Sequence, residues 1–77
     1  MDKQTVLSAM KAGTPMSGND IFSALYPEAP KDFGEEWESR FDEVQAILGR
    51  WMNIREKNAD KVKVVFVDGR PKFMKQE

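Results

Sequence analysis

Residues 62–75 read VKVVFVDGRPKFMK, and this stretch decides the fold. A valine-rich alternating run, VKVVFV, and a second run, RPKFMK, flank Asp68-Gly69, and an Asp-Gly pair between alternating runs signals a tight hairpin, because both central residues of a type I′ turn need positive φ. A two-residue loop also fixes the register. Val67 is predicted to face Arg70 as a hydrogen-bonded pair, Phe66 to face Pro71 as a non-hydrogen-bonded pair, and Val64 to face Phe73. No ladder N–H is then asked of Pro71. The same register gathers Val62, Val64, Phe66, Pro71 and Phe73 on one face, the predicted core face. Lys63, Arg70 and Lys72 go to the other with Val65, Val67 and Met74.

Working back from the hairpin, residues 55–60 (REKNAD) read as a polar connection. Before them, residues 35–53 (EEWESRFDEVQAILGRWMN) carry the longest periodic run. Trp37, Phe41, Val44, Leu48 and Trp51 recur at helical spacing with Arg40 and Ile47 beside them, so the run predicts a helix with a broad apolar stripe. Arg40 is expected to lay its stem along that stripe and surface its charge. Ser39, Asp42, Ala46 and Gly49 make the opposite face short-chained. Asp32 followed by Glu35 is a candidate capping pair, which starts the helix between residues 33 and 35. Residues 26–34 hold two prolines and a glycine and read as a loop, with Tyr26 and Phe33 as its anchors.

Nearer the N-terminus, Asp2 can cap a helix over residues 3–12, in which Val6, Leu7 and Met10 face inward and Gly13 is the stop. Thr14-Pro15-Met16 is extended, with room for a short strand at Met16. Ser17 and Asp20 form a capping-box variant that opens a second helix, with Ile21, Phe22 and Leu25 buried and Pro27 ending it.

The composition bounds what such a chain can be. Seventy-seven residues, 40% hydrophobic and 32% charged, make one small folded domain, expected to span 1–77. No run approaches a membrane span, and MDKQTVLSAMK lacks the apolar centre of a signal peptide, so the expectation is a cytoplasmic protein without membrane partners. Without histidine or cysteine the familiar zinc sites are missing, and no imidazole can activate Ser8, Ser17, Ser23 or Ser39. We therefore expect no enzyme, no metal site and no cofactor, and read carboxylate pairs such as Asp42 and Glu43 as a solvated helix face. Charge is uneven. Residues 1–49 hold four basic against nine acidic residues, a net of −5, whereas residues 50–77 hold eight against four, a net of +4. An electrically two-ended chain suits an anionic partner at one end, or attraction between the two ends or two copies.

Three helices, an extended residue between the first two, and a closing hairpin resemble the order of the winged helix superfamily, an α+β fold with a three-helix core and a C-terminal two-stranded antiparallel wing. VLSAMKAGTPMSGNDIFSAL resembles the opening of small bacterial and archaeal winged-helix regulators, and ILGRWMNIREKN and VKVVFVDGRPKFM stand where that family has the end of its third helix and its wing. The resemblance implies double-stranded DNA as the partner and transcription regulation as the role. It implies Ser39, Arg40, Glu43, Ala46 and Arg50 as groove-facing residues, and Lys63, Asp68, Gly69, Arg70 and Lys72 as the wing, with Arg55 between them. Arg70 is the leading candidate and Lys63 and Lys72 the sequence-independent phosphate contacts. The chain departs from the family in the third helix, where Glu35, Glu36, Glu38, Asp42 and Glu43 would repel phosphates. The alternative is therefore a protein-interaction adaptor or inhibitor that uses Glu36, Ser39, Glu43 and Ala46, extended by Val65 and Val67, with a homodimer as one form.

Overall fold

The computed structural model describes residues 1–32 and 34–76, which fold as α1 (Lys3–Ala9), α2 (Gly18–Leu25), α3 (Glu35–Arg50), α4 (Ile54–Ala59), β1 (Val62–Val67) and β2 (Arg70–Lys75). The class is α+β, with four helices and one antiparallel hairpin among these residues. The stripe of α3 faces the core as its period requires. Val44, Ile47 and Leu48 are buried along it, and Trp51, at its C-terminal cap, is 1% exposed. Trp37 and Phe41 are half-buried and extend the stripe toward α2, where Phe22 meets Phe41 edge-on at 5.2 Å and Tyr26 meets Trp37 edge-on at 5.8 Å.

Local signals set most of the boundaries. Asp2 accepts from the Thr5 N–H at 3.0 Å and caps α1, while Ser17 and Asp20 exchange both bonds of the capping box at the start of α2. One boundary and one cap differ from the sequence expectation. α1 ends at Ala9 and not at residue 12, because Met10 is already extended. Gly13, with φ +77°, instead turns the chain after the helix so that its N–H reaches the Lys75 carbonyl at 2.9 Å. α3 begins at Glu35, within the expected range, but behind a Gly34 N-cap with no side-chain bond, so Asp32 and Glu35 do not form the expected capping pair. Phe33, the other expected loop anchor, lies outside the described residues.

The larger correction concerns residues 55–60. They are not a plain connection but mostly a fourth helix, α4, so the three-helix expectation is short by one. Its N-cap is Asn53, whose Oδ1 accepts from Arg55 N at 2.9 Å and Glu56 N at 3.4 Å. Asp60 ends it and joins three elements. Its carboxylate accepts the Trp51 indole N–H at 2.8 Å, pairs with the Lys3 ammonium at 3.0 Å, and has only 8% of its side chain exposed. Lys61 then adopts φ 56° and turns the chain into β1.

The hairpin has the register its turn dictates: Val67 with Arg70, Phe66 with Pro71, and Val64 with Phe73, around Asp68 (φ 54°) and Gly69 (φ 77°). Val62 and Phe73 are buried and Val64 packs against the core. Alternation places Phe66 beside them, yet it is 64% exposed. It lies on the correct face, but the face runs past the helices beneath it. The outer edge of β2 is covered by the α1–α2 connection, where Met16 and Phe73 exchange bonds of 2.9 and 2.8 Å. Lys75 sits on the inner face and donates to the Leu7 carbonyl at the end of α1 at 3.2 Å, where a cation also suits the helix dipole.

Asp60 gives the fold a pH dependence with a definite sign. The Trp51 N–H bond, opposed by desolvation and assisted by Lys3, holds its carboxyl below the ordinary aspartate range. Bonds from Thr5 do the same for Asp2, and bonds from Ser17 for Asp20. A carboxyl whose folded pKa is depressed contributes stability that is complete above the unfolded value and is lost as pH falls through the folded one. The melting temperature should thus hold from neutral pH down to about 5 and drop below about 4, near the unfolded aspartate pKa. The drop should be smaller in Asp60→Asn, whose melting temperature at neutral pH is already reduced. Thermal melts by circular dichroism across this range check both statements; an equal acid drop in wild type and Asp60→Asn would refute the role given to Asp60.

Candidate functional site

The N-terminus of α2, the C-terminal half of α3 and strand β2 meet around an open cleft of about 380 Å³. Ser17, Gly18 and Asn19 line it from α2 and its cap, and Arg70, Pro71 and Phe73 from β2. The floor comes from α3, whose Gln45 and Gly49 fall at i and i+4 and so share one flank of the helix, and from Met52 in the turn that follows it. α2 approaches α3 closely at Gly18, where a Cβ would come within 2.9 Å of Nε2 at the tip of the exposed Gln45 side chain and 3.3 Å of Leu48 Cδ1. A second cleft of about 420 Å³ shares Ser17, Arg70 and Pro71 and continues along the hairpin past Val67, Asp68 and Lys72. The two make one surface that runs from α2 to the hairpin turn.

Its electrostatics are set by few groups. Arg70 reaches both clefts, and Lys72 enters the second and lies near enough to Asp20 to help lower that carboxyl after the dominant Ser17 bonds. The first turn of α2 adds backbone N–H groups and the positive end of a helix dipole. None of the five carboxylates of α3 lines either cleft; its wall there is Gln45, Leu48 and Gly49.

The structure thus gathers Arg70 and Lys72 and leaves the other basic candidates elsewhere. Arg40 is exposed and stacks its guanidinium 4.6 Å from the Trp37 ring centroid and 5.8 Å from that of Tyr26, which engages its charge with aromatic faces. Arg50 is 3.7 Å from Glu56, and Glu43 is 3.9 Å from the N-terminal ammonium. Ser39 and Ala46 are exposed on α3, Arg55 is exposed in the first turn of α4, and Lys63 is paired with Met74 on the outer hairpin face. Glu36 is also exposed, while Val65 is half-buried and Val67 is 44% exposed. Gln45, Asn19 and Met52 are not among the residues that the sequence singles out.

Among the described residues no group of three or more carboxylates, histidines or cysteines is placed to hold a metal ion, and no helix is long and apolar enough to cross a membrane. No protein-family model, curated protein or solved structure matches the chain.

Proposed function

We propose that the chain is a winged-helix module that binds double-stranded DNA and acts in transcription regulation, with the hairpin as its wing and the surface between wing, α2 and α3 as the contact. The observation that carries this reading is the meeting of Arg70 and Lys72 with the N-terminal turn of α2 over a stretch of α3 that holds no carboxylate. Phosphates of one strand would take Arg70, Lys72 and the N–H groups of Gly18 and Asn19. Gln45 and Asn19 carry amides of the kind that pair with adenine edges. The acidic leading turns of α3 then need not enter the groove, which removes the main electrostatic objection to DNA.

Fluorescence anisotropy with a labelled duplex tests it. Affinity should fall steeply with salt, and Arg70→Ala with Lys72→Ala should weaken binding at low salt by about tenfold or more. The same pair should flatten the logarithmic salt slope by roughly 0.9 for each phosphate that is no longer neutralised. No anisotropy change at low salt, or an affinity indifferent to salt, would refute DNA binding. A second reading, an adaptor that binds a basic protein surface, is supported by the exposure of Glu36, Ser39, Glu43 and Ala46 on α3. Glu36→Ala with Glu43→Ala separates the two: it should cost the adaptor its partner and leave duplex binding intact.

A further inference from the structure

The two edges of the hairpin are treated differently. The outer edge of β2 is closed by Gly13 and Met16, and Pro71 has no N–H to offer there. The edge of β1 is bare. In the hairpin register Lys63, Val65 and Val67 turn their backbone groups toward β2, so those of Val64 and Phe66 point outward, and among the described residues no backbone partner meets them. The strand is VKVVFV: four valines and a phenylalanine, one charge, no proline and no glycine. Such an edge is a template for another strand. Phe66, 64% exposed, and Val67, 44% exposed, stand at its open end.

We infer that the edge of β1 pairs antiparallel with the same edge of a second copy of this chain, about a two-fold axis at Val65, and makes one four-stranded sheet. This goes beyond the DNA reading and does not depend on it. An antiparallel pair of identical strands is self-complementary, as a closed two-fold dimer requires. The register follows from what is free. α4 packs against β1 and leads into its Val62 end, so the pairing has to use Val64 and Phe66. Setting Val64 against Phe66 of the other copy, and the reverse, makes two hydrogen-bonded pairs, each exchanging both bonds, with Val65 opposite its own copy as the close non-hydrogen-bonded pair. Phe66 then lies across from Val64 of the second copy, an aromatic on a β-branched residue, which covers the ring that the helices leave exposed. Charge agrees with this register. Lys63 stands opposite Val67 of the second copy with Asp68 next along, so the two lysines are apart and each is near a carboxylate.

The chain has no cysteine, which makes the register directly readable. Val65→Cys should oxidise to a disulfide-linked dimer without DNA present, because the two sulfurs face each other across the axis at disulfide range. Val67→Cys should not, since its own copy lies about 13 Å further along the sheet. Sedimentation velocity of the unmodified chain should show a dimer that grows with concentration, and Phe66→Lys, which changes an exposed side chain and should leave the circular dichroism spectrum unchanged, should shift it to monomer. A wild-type chain that stays monomeric throughout, or Val67→Cys that links as readily as Val65→Cys, would overturn the inference. DNA binding is read separately by anisotropy, so either proposal can fail alone.

Discussion

Trp51→Ala should leave little folded protein at room temperature. Trp51 is the largest of the fully enclosed side chains, lies with its ring 6.3 Å from that of Phe73, and donates to Asp60. Truncating a buried tryptophan costs about 3–5 kcal/mol, from lost transfer free energy and from the cavity left behind. A chain of this length has about 4–12 kcal/mol in total at the usual 0.05–0.15 kcal/mol per residue. The loss is therefore comparable with the whole at the lower end of that range. It also leaves Asp60 partly enclosed with Lys3 as its remaining side-chain partner. Trp51→Phe is the control, because it keeps most of the packing and removes the N–H, and should cost about 1–3 kcal/mol. Urea unfolding followed by far-ultraviolet circular dichroism measures both. A similar midpoint for the two variants would show that the indole bond, and not the ring's volume, is what Trp51 contributes.

Phe73→Ala should come close to the same result, whereas Phe66→Ala, two positions before the turn on the same sheet face, should be nearly silent. Phe73 is 4% exposed and its ring packs against Trp51, so truncating it leaves a cavity at the joint between hairpin and helices, at an expected cost of about 3–5 kcal/mol. Phe66 is 64% exposed, and a substitution at such a site usually stays within about 0.5 kcal/mol in the monomer. Urea midpoints at low protein concentration, where self-association does not contribute, test the contrast. Equal losses would mean that the hairpin packs along its full length.

That contrast marks where the sequence stops being informative. Alternation and the Asp-Gly turn dictate the hairpin register, because a two-residue loop admits one pairing and a slip would flip every side chain. They do not say how far the helices reach beneath the strand, and so they place Phe66 inside. The Ser17–Asp20 box and the α3 stripe are legible for similar local reasons. α4 is not, since Ile54 is 66% exposed and the rest of the helix offers no apolar face. It is held by its Asn53 cap and by Asp60, whose partners Trp51 and Lys3 meet only in three dimensions. At the candidate site, Arg70 and Lys72 can be named from the turn. Gln45 and Asn19 cannot, because the stripe tells which side of α3 is buried but leaves two flanks equivalent until the hairpin lands on one of them.

The bridge between Met16 and Phe73 has a kinetic corollary. It joins segments near opposite ends of the chain, and the entropy of closing a loop that long must be spent before the bridge returns anything, growing as about (3/2)RT ln n with the residues enclosed. A growing polypeptide that has not yet reached β2 therefore holds helices with no lid, of which α1, α2 and α4, at 7, 8 and 6 residues, are individually too brief to persist in water. Order should arrive in a single late event once the last strand docks. A ladder of C-terminal truncations would then give either full protection from protease or almost none, with the break at Phe73.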